Sequence, residues 1–285
     1  MKNIKYIVPF ILLLIVSFVY VKDAKCSLPS KKYRKTPSEL KIQYDSLNIL
    51  TTDGKRLTAW LCKPEKKRTD VVMILASGDA GNMGDNLVLT QFILENVGVN
   101  ILLFDYRGFG SSDLNPTDTD LIAIPEFTID IHSVVLYVRK YIQSDTNKIV
   151  LYGRSMGASL CLTTAITYGS VGGVIAESPY VTQASLVEKI NVFRKQQNSK
   201  RIAKSLPSPL LEPLSLISQC HCNVLFIHGQ NEKFISNNEV MDLYNSCSAK
   251  KKTLWIASDC DHLEVVYKEK DAFFAHLSSI LKSLY

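Results

Sequence analysis

A serine stands between two glycines in Gly153-Arg154-Ser155-Met156-Gly157, a spacing that allows nucleophilic chemistry. A serine hydroxyl attacks a carbonyl poorly at neutral pH unless a base takes its proton and a third group orients that base. The histidines are His132, His221, His228, His262 and His276. His132 and His276 fall in stretches of helical spacing, His221 precedes an apolar run, and His228 closes that run before Gly229. His262 lies in the loop Ser258-Asp259-Cys260-Asp261-His262, after the last strand-like run and before the last helical stretch, and is the candidate base. Glu232, in His228-Gly229-Gln230-Asn231-Glu232-Lys233, is the candidate orienting acid, because the next carboxylate is Glu239. It would accept from one imidazole nitrogen and favour the imidazolium formed during reaction. Asp259 and Asp261 are too near His262 in the chain to wrap easily onto its ring.

These side chains need elements that bring them together. Lys148-Ile149-Val150-Leu151-Tyr152 is short, apolar and rich in β-formers, as a buried strand is. It runs through Ser155 into Ala158–Ala165, which reads as a helix. A strand-to-helix turn this sharp exposes the serine and admits little beyond glycine two positions either side. The backbone N–H of Met156, and one from the Gly-rich turn after Ala76, most simply that of Asp79, are placed to hold an oxyanion. Two runs flanking Asp53-Gly54 predict a hairpin. Further strands are predicted at Val71–Ala76, Asn100–Phe104, Gly173–Glu177, Val224–His228 and Thr253–Ala257, with helices through Leu94, over Phe127–Ile142 and from Val266 to Leu284. Such alternation predicts a doubly wound, mostly parallel sheet. The stretch from Ser178 to Gln219, with Lys189, Arg194, Lys195, Lys200, Arg201 and Lys204 before three prolines, is either a small cap with a basic face or a solvated helix and loop.

The charge of the chain, +6, is unevenly spread. Residues 1–41 hold nine basic and two acidic side chains, whereas the remainder holds 24 and 25. The folded part is therefore not a polyanion binder, and nucleic acid is not expected as a partner. Ile7–Val21 is almost wholly apolar after Lys2 and Lys5, a membrane anchor or a secretory signal. Lys22 sits three residues before a cut after Ala24, and Asp23-Ala24-Lys25 is a poor lead-in to a lipidated Cys26, so an uncleaved anchor is favoured over cleavage and release to the periplasm or exterior. Residues 1–41 thus read as an N-terminal anchor or signal segment with a basic juxtamembrane stretch, and residues 42–285 as the catalytic domain. Seven cysteines, an odd and sparse set, imply no disulfide framework. Cys220-His221-Cys222 are adjacent residues that cannot converge on one ion, so no metal is expected.

Taken in order, Ser77-Gly78-Asp79-Ala80-Gly81-Asn82, Asp105-Tyr106-Arg107-Gly108-Phe109-Gly110-Ser111-Ser112, Gly153-Arg154-Ser155-Met156-Gly157, Glu177-Ser178-Pro179, His228-Gly229 and Asp261-His262 resemble the serine hydrolases of the α/β-hydrolase superfamily. The similarity extends to the small, N-terminally membrane-anchored α/β-hydrolase-domain group, with relatives among protein depalmitoylases and lipid esterases. The resemblance covers about Tyr44 to Leu284. It implies the α/β-hydrolase fold: a mostly parallel, eight-stranded-type sheet with helices on both faces and at most a small cap. It also implies a Ser155–His262–Glu232 triad cleaving esters or thioesters of acyl-lipid or S-acylated substrates through an acyl-enzyme, without a cofactor. A peptidase of the aminopeptidase or oligopeptidase type, and a non-catalytic binding protein of the same fold, are the alternatives. Two positions depart from the family pattern: Ser77-Gly78-Asp79-Ala80 stands where His-Gly-Asn-Ala is usual, and Glu232 where aspartate is usual. Asp105, Tyr106 and Arg107 resemble positions that brace loops near the site. The substrate itself and the oligomeric state are left open by the sequence.

Overall fold

The Asp53-Gly54 turn folds β1 (Gln43–Leu50) back on β2 (Arg56–Lys63) as an antiparallel hairpin. The chain then alternates strand and helix, in a computed structural model that describes residues 29–114, 120–196 and 198–285. The further strands are β3 (Val72–Ala76), β4 (Asn100–Phe104), β5 (Ile149–Arg154), β6 (Gly173–Glu177), β7 (Asn223–Gly229) and β8 (Lys252–Ala257). Among the described residues they form one 8-stranded sheet in the order β1-β2-β4-β3-β5-β6-β7-β8. Pairing is antiparallel at β1–β2 and β2–β4 and parallel from β4 to β8.

Side chains alternate along each central strand, which is why these runs are apolar at every position. Ile74, Leu102, Phe104 and Leu151 join a core on one face, while Met73, Leu75, Ile101, Leu103 and Val150 join a core on the other. Helices α1 (Leu87–Asn96), α2 (Glu126–Tyr141), α3 (Met156–Tyr168), α4 (Gln183–Gln196), α5 (Asn237–Ser246) and α6 (Lys270–Lys282) complete the layers. Ile131, Val134 and Val138 of α2, Leu160 and Leu162 of α3, and Val240 and Leu243 of α5 fill the first face. Leu87 and Ile93 of α1, with Phe273 and Leu277 of α6, fill the second. The expected doubly wound architecture is thus the one formed.

Three local features differ from the sequence expectations. Helix α5 carries no long apolar run; its signal is the reciprocal cap between Ser236 and Glu239. The last helix is interrupted at Glu269 (φ −117°, ψ 46°), which separates a single turn, Val265–Lys268, from α6. The basic residues after Ser178 do not form one free face: Lys189 pairs with Glu239, Arg201 pairs with Asp120, and Arg194 is buried.

The apolar run Ile7–Val21 lies outside the described residues. Among the described residues no helix is long and apolar enough to cross a membrane. The described end of the basic stretch packs on the domain: the Tyr33 ring lies 4.9 Å from that of Trp60, its hydroxyl donates to Asp105, and the Ser30 N–H donates to the Gly81 carbonyl at 2.7 Å.

The parallel register has one consequence for chemistry. Ala76, Gly153 and Ala176 lie side by side, as do Gly229 and Ala257. The loops after β3, β5, β7 and β8 therefore leave from the same edge of the sheet, where doubly wound folds bind their ligands.

Candidate active site

Strand β5 ends one residue before Ser155, and the chain turns at once into α3. Ser155 is held at φ 53° and ψ −122°, a conformation that side chains rarely adopt, and its N–H is fixed by the Glu177 carbonyl at 2.8 Å. Gly157 explains the motif spacing: a Cβ there would stand 2.4 Å from the carbonyl oxygens of both Ala76 and Ser77. Gly157→Ala is therefore expected to push β3 away from α3 and destabilise the domain by about 2–3 kcal/mol. Urea denaturation of the variant should show a lower midpoint with an unchanged slope.

The structure brings Ser155, His262 and Glu232 into one hydrogen-bonded chain. Ser155 Oγ lies 3.1 Å from His262 Nε2, and His262 Nδ1 lies 2.5 Å from Glu232 Oε2. The Glu232 side chain is fully buried, and its Oε1 accepts the Phe234 N–H at 2.9 Å. Burial opposes the charged carboxylate, but the hydrogen bond and charge of His262, with the Phe234 N–H, outweigh it and hold the carboxyl below the usual glutamate range. The loops that carry acid and imidazole are zipped together: Gln230 N–H donates to the Ala257 carbonyl and Asn231 N–H to that of Cys260, at 2.9 and 2.8 Å. This closeness requires Gly229, where a Cβ would meet the Cys260 oxygen at 2.5 Å. Asp261, set aside as the acid, instead accepts the His262 backbone N–H at 2.8 Å and pairs with Lys233 at 3.0 Å.

Met156 opens α3, where the first amides have no acceptor within the helix and the dipole favours negative charge. Gly78, in the turn after β3, lies against the nucleophile turn; a Cβ there would stand 3.5 Å from Ser155 Cβ. Asp79 follows it. Removal from water raises the affinity of the Asp79 carboxyl for a proton, against the pull of its own backbone N–H and of the charges on His262 and Arg194.

One residue that sequence reasoning passed over ties the site together. Arg154 Nε donates to Glu177 Oε2 at 2.9 Å, Nη1 to Asn86 Oδ1 at 3.0 Å and Nη2 to the Leu263 carbonyl at 3.2 Å. Asn86 donates in turn to Ser77 Oγ at 2.8 Å, and the Tyr152 hydroxyl donates to Glu177 Oε2 at 2.7 Å. A single buried guanidinium thus links the strand before Ser155, the turn before Asp79 and the residue after His262. The signal was present: Arg154 and Glu177 are charged residues closing two otherwise apolar buried strands. Asp105 and Arg107 brace a different region. Asp105 accepts the Met83 N–H at 2.7 Å and burial pushes its carboxyl up to about 6, while Arg107 bonds Asp130 and Asp53, each at 2.7 Å. His228 is fully buried. Cys220 Sγ lies 3.7 Å from Cys222 Sγ just before β7, at the other end of that strand from Glu232.

Helix α4 lies over the site. Phe193 packs edge-on to Phe234 at 5.4 Å between ring centroids, and Phe234 packs edge-on to His262 at 5.5 Å. Ser185 and Lys189 of α4 both bond the Glu239 carboxylate of α5, which fastens this small cap to the body.

Similar proteins are found in yeasts and in an archaeon. The uncharacterized membrane protein YNL320W of Saccharomyces cerevisiae is 25% identical over 223 residues, 77% of this chain and 74% of that protein. Protein bem46 of Schizosaccharomyces pombe is 22% identical over 242 residues, 80% of this chain and 73% of that protein. The structure of the Pyrococcus furiosus esterase Pf2001 superposes with a TM-score of 0.74 at 18% identity, covering 91% of this chain and 98% of the esterase, a likeness of fold. A family profile described as serine aminopeptidase, S33, matches residues 70–219, which hold β3 through α4 together with Ser155. With the fold and this match together, the chain belongs to the serine aminopeptidase S33 family of α/β-hydrolases.

Proposed function

We propose that this α/β-hydrolase is a serine hydrolase that cleaves carboxylic esters or thioesters through an acyl-enzyme. The observation that carries the reading is the unbroken chain Ser155 Oγ–His262–Glu232, with steps of 3.1 and 2.5 Å. Ser155 Oγ attacks the carbonyl while His262 Nε2 takes its proton, and Glu232 holds the imidazole orientation and balances the imidazolium. The N–H groups of Met156 and Asp79 hold the oxygen of the tetrahedral intermediate. His262 then returns the proton to the departing alcohol or thiol, and water repeats the sequence on the acyl-serine. The chemistry asks for no cofactor.

Acyl-lipid or S-acylated substrates suit a domain, residues 42–285, carried on an N-terminal anchor within residues 1–41, and the membrane protein among the relatives supports that arrangement. The family description favours a second reading, hydrolysis of aminoacyl amides. Incubation with a fluorophosphonate, followed by peptide mass spectrometry, tests the proposal: one phosphonyl group is expected, on the peptide containing Ser155. An unlabelled protein, or an adduct on another serine, would overturn it. Rates with p-nitrophenyl esters, acyl-CoA and aminoacyl amides then separate the two readings by bond type.

A further inference from the structure

Helix α4 turns one stripe toward the body: Gln183 and Leu186 are buried, Val187 and Ile190 pack on the core, and the stripe ends at Arg194. Gln183 is well satisfied there, donating through Nε2 to the Ala123 carbonyl at 3.2 Å and accepting the Leu206 N–H at 2.8 Å. Arg194 is not. It is only 6% exposed, and its Nη1 is inaccessible to solvent and makes no hydrogen bond. Among the described residues its side chain has no ion-pair partner either. A buried guanidinium nitrogen without an acceptor is costly, and proteins of this size hold few of them.

Its position gives the reason. The neighbouring Phe193 is two ring contacts from His262, through Phe234. Asp79, beside the nucleophile turn, feels the charges of both His262 and Arg194. The guanidinium thus lies on the cap side within electrostatic reach of the turn beside Ser155, with its buried Nη1 unspent. Guanidinium presents a rigid fork that matches a carboxylate or a phosphate, and a site that excludes water makes such a pairing strong.

We propose that Arg194 is a substrate-recognition residue that binds an oxyanionic group, a carboxylate or a phosphate, carried by the molecule whose acyl bond lies at Ser155. The proposal rests on the serine-hydrolase reading above. It makes the cap a reader of charge rather than a hydrophobic lid, with the Asp79 carboxyl as an opposing charge that weakens the preference for an anion placed at the fork.

Matched substrates test it: p-nitrophenyl hexanoate, and the p-nitrophenyl monoester of glutaric acid, which puts a carboxylate at similar reach. Wild-type protein should favour the glutarate monoester in kcat/KM by about tenfold, mainly through KM. Arg194→Met, of similar length and apolar, should bring the ratio to one or below, Arg194→Lys should retain part of it, and Asp79→Asn should raise it. An unchanged ratio in Arg194→Met, or a wild-type preference for hexanoate, would overturn the proposal while hexanoate turnover and fluorophosphonate labelling keep the hydrolase reading intact. If neither ester is turned over and no label is taken, the hydrolase reading falls. Thermal unfolding then decides Arg194 by itself: glutarate or inorganic phosphate should raise the midpoint of wild type and not of Arg194→Met, and equal shifts would refute the assignment. The two additives also tell a carboxylate site from a phosphate site.

Discussion

Exchanging Glu232 for glutamine is expected to lower kcat by about 10³–10⁴-fold, with the fold and the Ser155–His262 geometry retained. The buried side chain has its two oxygens committed, Oε2 to His262 Nδ1 and Oε1 to the Phe234 N–H. A glutamine would keep its carbonyl on the Phe234 N–H and turn its NH₂ to Nδ1. Nδ1 must then be the unprotonated nitrogen, so the proton moves to Nε2. A protonated Nε2 cannot take the Ser155 proton. The imidazolium formed during reaction also loses its counter-charge. Glu232→Asp keeps the charge but withdraws it by one methylene, so an intermediate loss of about 10–100-fold is expected. Steady-state rates on a p-nitrophenyl ester, with circular dichroism to verify folding, check both variants. Equal activity of Glu232→Gln and wild type would remove the carboxylate from the mechanism.

The same pair makes a stability statement with a definite sign. Glu232 in the folded protein lies below the usual glutamate range, so the unfolded chain binds its proton more readily. Its contribution is fully present above the ordinary glutamate value and is lost as pH falls through the depressed folded value.

Arg154→Met is expected to cost about 3–5 kcal/mol, because it strands the buried Glu177 carboxylate without its cation. For a domain of this size the melting midpoint should fall by roughly 10 °C or more. Activity should fall by about 10²-fold even where the variant is folded, since the turn before Asp79 and the loop after His262 lose their common tie. A double variant separates the two effects. In Arg154→Met/Glu177→Gln no charge is left stranded, and the Tyr152 hydroxyl keeps an acceptor. Thermal unfolding should recover much of the lost midpoint, while kcat stays low. Recovery of both would show that Arg154 serves stability alone, and recovery of neither would show that Glu177 has a further role.

Much of this protein was legible in one dimension, because local rules are local. Gly153 and Gly157 flank Ser155 after an apolar run, and a backbone turn of that sharpness admits no other residue at Gly157. Continuous apolar runs such as Val72–Ala76 and Ile149–Leu151 announce strands covered on both faces. Chain order placed His262 after the last strand and Glu232 after the one before it, and parallel strands deliver such loops to one edge. Helix α5 escaped notice because its apolar stripe is short, Val240, Leu243 and Tyr244 between polar residues, and its start is marked by a cap between Ser236 and Glu239.

What the fold decided concerns groups whose meaning depends on partners far along the chain. Arg154 and Glu177 are 23 residues apart and read as ordinary charges until neighbouring parallel strands place them 2.9 Å from each other. Arg194 reads as one lysine-like charge among several on a basic helix, yet the helix turns it inward and denies it an acceptor. Periodicity and turn chemistry depend on residues a few positions away, so they survive in the sequence alone. Burial and charge pairing depend on what other segments bring to the same point, and only the packed molecule specifies that.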